Sequence, residues 1–78
     1  MDNNFYIRIL DENKIPLFLK KLEHMLYTLE RYQNAVNREE WLVKAFKKAI
    51  YSTVVDLRES GKEAEVREIL HRRQYVMR

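Results

Sequence analysis

The sequence predicts an all-α fold, a small three-helix bundle made of a helical hairpin and a shorter C-terminal helix, preceded by a short extended segment. Three observations carry that expectation. Every seventh residue from Ile15 to Leu57 is a branched aliphatic: Ile15, Leu22, Leu29, Val36, Val43, Ile50 and Leu57. A helix with that repeat keeps one seam turned toward a partner helix. Glycine and proline occur once each, so few positions can break a helix. The third observation is an asparagine-rich stretch, Asn34-Ala35-Val36-Asn37, which falls midway along the aliphatic series.

Along the chain, Phe5-Tyr6-Ile7-Arg8-Ile9-Leu10 is rich in β-branched and aromatic residues and reads as a short strand. Asp11 to Lys14 reads as a turn. Pro16 suits the first turn of a helix, where the missing N–H costs nothing, and a helix is expected from there to about Asn34. Its apolar face is Phe18, Leu19, Leu22, Met25, Leu26, Leu29, Tyr32 and Val36. Asn37, followed three residues later by Glu40, resembles a capping box with Asn in place of Ser or Thr. A second helix is expected from Arg38 to Ser60, with Gly61 at the left-handed position beyond its end. Its inward side is read as Leu42, Phe46, Ala49, Ile50, Thr53 and Leu57. A third helix runs from about Lys62 to Gln74, with Val66, Ile69 and Leu70 inward.

The same series supports an alternative. Without a turn at Asn34–Asn37, residues 16–60 form one rod of ~67 Å at the helical rise, which is stable only in a dimeric coiled coil. Two details favour the hairpin. Glu39 would occupy the dry seam of the rod at high cost. The flanking apolar residues also change side, from Leu19 and Leu26 in the first half to Leu42 and Ala49 in the second.

Composition bounds the function classes. With 78 residues, one helical domain spanning 1–78 is expected, and a domain of that size buries only ~60% of its unfolded surface. A partner chain, expected to be a second copy in a homodimer, is a source of further stability. There is no cysteine, which excludes disulfides, thiolate metal sites and a thiol nucleophile, and fits a reducing cytoplasm. Neither a signal peptide nor a membrane span is expected. Fifteen basic and 12 acidic residues give a net charge of +3, a mixed surface. His24 and His71 lie on separate segments, Glu39 and Glu40 diverge on a helix, and no Ser/His/Asp or metal-ligand spacing stands out. A non-enzyme with no cofactor and no metal is expected.

Three groups of residues are left to meet something else. Trp41, Lys44, Lys48, Tyr51 and Val55 fall on the outer side of the second helix, where aromatics among cations resemble an interface anchor. The plainer reading has Trp41 folded over the end of the third helix. Phe5, Ile7 and Ile9 suit strand pairing or dimerisation, because a lone strand cannot satisfy its backbone groups. Lys62, Arg67, Arg72, Arg73 and Tyr75 could serve DNA or RNA by phosphate contact and base stacking. The plainer reading is that these cations complement a helix dipole. The leading expectation is a protein–protein interaction module, a small regulator, inhibitor or assembly factor. Nucleic-acid binding is the alternative, and no membrane partner is expected.

Overall fold

A computed structural model describes residues 12–77. The expected strand, with Phe5, Ile7 and Ile9, lies outside the described residues. Among the described residues a 3-10 turn at Glu12–Lys14 leads into three helices: α1, Ile15–Gln33; α2, Glu40–Glu59; and α3, Glu63–Arg72. At 1.5 Å per residue, α1 and α2 are each about 30 Å long. They pack on one another as the principal contact of the fold, and α3 packs against both, more on α2 than on α1. This is the expected hairpin with a shorter third helix; the continuous rod is ruled out.

The core has contributions from all three helices. From α1 come Ile15, Leu22, Leu26 and Leu29; from α2, Val43, Ile50, Val54 and Leu57; from α3, Val66, Ile69 and Leu70. Leu22, Leu29, Ile50, Leu57, Val54 and Val66 are fully enclosed. The aliphatic series is therefore core throughout except at Val36, which is 97% exposed. Val36 had been expected on the inner face of α1, but the helix has already ended at Gln33.

The connection between α1 and α2 is built differently from the expected capping box. The N-cap of α2 is Glu39, in extended conformation and with no side-chain cap bond. Asn37 is an exposed turn residue. Other groups satisfy the local backbone: the Asn34 Nδ2 amide donates to the Glu30 carbonyl at 3.0 Å, and the Arg38 guanidinium donates to the Gln33 carbonyl at 3.2 Å. The Glu39 N–H donates to the Tyr32 hydroxyl at 2.6 Å. With those partners in place, α2 starts two residues later than the pattern placed it.

The inward stripe of α2 is also turned relative to the expected one. Ile50, Thr53 and Leu57 are buried as expected, together with Val43 and Val54. Leu42 and Phe46 are only half-buried, and Ala49 is exposed. The reason is that α3 comes back against α2 and closes one side of the hairpin, which brings Val54 into the shared core with Val66, Ile69 and Leu70. The opposite side keeps an apolar hollow of about 250 Å³ lined by Met25, Leu42, Ala45, Phe46 and Ala49.

Both ends of α3 are set by the same backbone device. At the end of α2 the Gly61 N–H bonds the Arg58 carbonyl and the Lys62 N–H bonds the Leu57 carbonyl, each at 3.0 Å, with Gly61 at φ +83°. This is a Schellman motif with glycine where a left-handed residue is required. At the end of α3 the Gln74 N–H bonds the His71 carbonyl at 3.0 Å and the Tyr75 N–H bonds the Leu70 carbonyl at 2.9 Å. Here the left-handed residue is Gln74, at φ +55°. The motif turns the chain so that Tyr75 and Met77 pack against the core from outside α3.

Candidate interaction surface

The expected partner residues on α2 are distributed as a surface helix would place them. Trp41 and Tyr51 are 65% and 56% exposed. Lys44 and Lys48 are exposed, and Val55 is half-buried rather than open. Trp41 is not folded over α3. Its indole Nε1–H donates to the Glu39 carboxylate beside it, which satisfies the polar edge of the ring and leaves much of the apolar remainder in water. A ring with a paired N–H and a solvated face suits an interface, because burying it against a partner strands no donor.

The charges around this face are unusual for the chain. Residues 41–55 carry Lys44, Lys47 and Lys48 and no Asp or Glu. Among the described residues none of these three lysines forms an ion pair. Lys47 was not among the residues expected at the surface site, although the acid-free run that contains it was legible in the sequence.

The C-terminal cations contrast with them. Lys62 lies 4.0 Å from Glu65, and Arg67 lies 3.1 Å from Glu63. Arg72 meets Glu23 at 3.1 Å and Glu68 at 3.9 Å, and Arg73 meets Glu23 at 3.5 Å. Arg73 also lies over the Tyr27 ring, 5.5 Å from its centroid. Four of the five residues of the nucleic-acid set are thus occupied by acids of the chain itself. Glu23, on α1, was missed by sequence reasoning. It is a single carboxylate on an otherwise ordinary helix face, and only the return of α3 brings Arg72 and Arg73 to it.

Tyr75, the fifth member of that set, stays beside Arg73 on one side and joins the α2 surface on the other. It lines a hollow of about 410 Å³ with Lys47, Lys48 and Tyr51 of α2, Gln33 at the end of α1, and the tail residues Val76 and Met77. Burial pushes the Tyr75 hydroxyl above its ordinary pKa, so it stays protonated and able to donate. The structure therefore brings together Lys48 and Tyr51 of the partner set with Tyr75 of the nucleic-acid set.

His24 and His71 are both exposed. Among the described residues no group of three or more His, Asp and Glu side chains is placed to hold a metal ion, and no helix is long and apolar enough to cross a membrane. Comparison of the chain with protein-family models, with curated proteins and with solved structures finds no match.

Proposed function

We propose that this chain is a non-catalytic protein–protein interaction module of the cytoplasm, a small regulator, inhibitor or assembly factor that acts by occupying a surface on another protein. The carrying observation is the outer face of α2, where Trp41 and Tyr51 stand exposed among lysines that no acid of the described chain neutralises. Interfaces concentrate their energy in such aromatic anchors, and cationic rims steer and orient the encounter. The nucleic-acid reading is weaker, because the arginines it needs are engaged by Glu23, Glu63 and Glu68, and freeing them for phosphates would break those pairs.

The test compares capture from source-cell lysate by the wild-type chain and by Trp41→Ala, after nuclease treatment. One protein retained by the wild type and lost with Trp41→Ala, at unchanged helicity, supports the proposal. Equal retention by both chains, or recovery of nucleic acid alone without nuclease, overturns it. A second copy as the partner would register as a concentration-dependent mass of the purified chain that Trp41→Ala abolishes.

A further inference from the structure

We propose that the hollow between α2 and the C-terminal tail is a specific receptor for an acidic peptide segment of a protein partner, one that carries an aromatic or large apolar side chain flanked by Asp or Glu. The inference rests on the interaction-module reading and names the chemistry of what docks there.

The hollow has two kinds of wall. Lys47 and Lys48 line it with cationic side chains, whose ammonium groups donate hydrogen bonds and accept none, and among the described residues no acid lines the site. Tyr51 stands one turn along the same helix, and Tyr75 and Met77 line the hollow from the tail, a soft, polarisable surface suited to an aromatic guest. Its volume of about 410 Å³ falls in the range of sites that accept a side chain or small ligand. The tail wall is fixed by backbone geometry. The left-handed Gln74 and the Tyr75 N–H bond to the Leu70 carbonyl set the direction in which the chain leaves α3.

Charge complementarity selects the occupant. The two lysines, which form no ion pair among the described residues, favour an anion. A nucleic-acid strand would need cations continuing along its backbone; Lys44 extends the row by one turn of α2, but Arg72 and Arg73, which could carry it further, are held by Glu23 on α1. A short acidic segment needs only the two lysines and one apolar slot.

The experiment uses the full chain, 15N-labelled, and three probes: a blocked Glu-Glu-Phe-Glu-Glu peptide, its Lys-Lys-Phe-Lys-Lys counterpart, and oligothymidylate. The acidic peptide is expected to shift the amide signals of Lys47, Lys48, Tyr51 and Met77. Its affinity should fall about fivefold in the Lys47→Glu, Lys48→Glu double variant at unchanged helicity, and fall again when salt rises from ~0.02 to ~0.3 M. Tyr51→Ala should weaken the same binding without altering its salt dependence. No shift at millimolar peptide, equal shifts with the basic peptide, or tighter binding of oligothymidylate would overturn the inference. If the acidic peptide fails while Trp41→Ala still abolishes partner capture, the receptor is refuted and the broader interaction reading stands.

Discussion

The backbone N–H of Glu39 donates to the hydroxyl of Tyr32 across seven residues of sequence, at 2.6 Å. That bond joins the last turn of α1 to the residue that caps α2, so it closes the hairpin where the asparagine-rich segment would otherwise be free to choose its path. Tyr32 also sits near Phe46, with ring centroids 6.3 Å apart. Tyr32→Phe keeps the ring and removes only the hydroxyl. It should destabilise the chain by about 0.5–1 kcal/mol, the net worth of one partly solvated hydrogen bond. Urea unfolding reads the loss, and an unchanged midpoint would mean that water replaces the hydroxyl without cost.

Val36 and Val43 are the same residue type in the same seven-residue series, yet one is 97% and the other 3% exposed. Val43→Ala should cost about 2 kcal/mol, from two lost methyl groups and the cavity they leave. Val36→Ala should be neutral within a few tenths. Equal costs in a denaturation series would restore the continuous seam and refute the turn.

Gly61 and Gln74 occupy equivalent left-handed positions, at φ +83° and +55°. A methyl group added at Gly61 would meet no atom within 4 Å, so Gly61→Ala isolates the backbone penalty, about 1 kcal/mol. Gln74→Gly relieves the same strain and should stabilise by about 0.5 kcal/mol, the greater freedom of glycine in the unfolded chain offsetting part of the gain. Thermal unfolding of the two variants should move in opposite directions, and a shared direction would discount the motif at one of the ends.

Glu23 holds α3 to α1 through Arg72, whose Nη2 lies 3.1 Å from both carboxylate oxygens, and through Arg73. Glu23→Gln should cost about 0.5–1 kcal/mol, because the pairs are partly exposed. Concentrated salt should erase much of that difference by screening. A cost that survives ~1 M salt would show that packing, and not charge, joins the two helices there.

How far the fold was legible follows the range of the forces involved. The helices, the inward residues of α3 and the role of Gly61 were readable because period, propensity and a left-handed glycine are local properties. The stripe of α2 was not. Leu42, Phe46 and Val54 are all apolar at helical spacing, and the sequence holds nothing to say on which side α3 returns. The candidate surface divides the same way. Trp41, Lys44, Lys48 and Tyr51 were visible as a face, while Tyr75 joined them only through a tail that the Gln74 turn redirects.

By itself, then, the sequence determined that the chain is helical, that Asn34–Asn37 is where a break would fall, and that aromatics and lysines are the candidates left outside its core; the structure decided that the break is made. Each follows from residues a few positions apart, whose spacing converts directly into a face or a turn. Only the tertiary structure decided which cations remain available. Glu23 and Arg72 are 49 residues apart, and their pairing depends on how α3 packs. That packing engages Arg72 and Arg73 internally and leaves the lysines of α2 to the solvent.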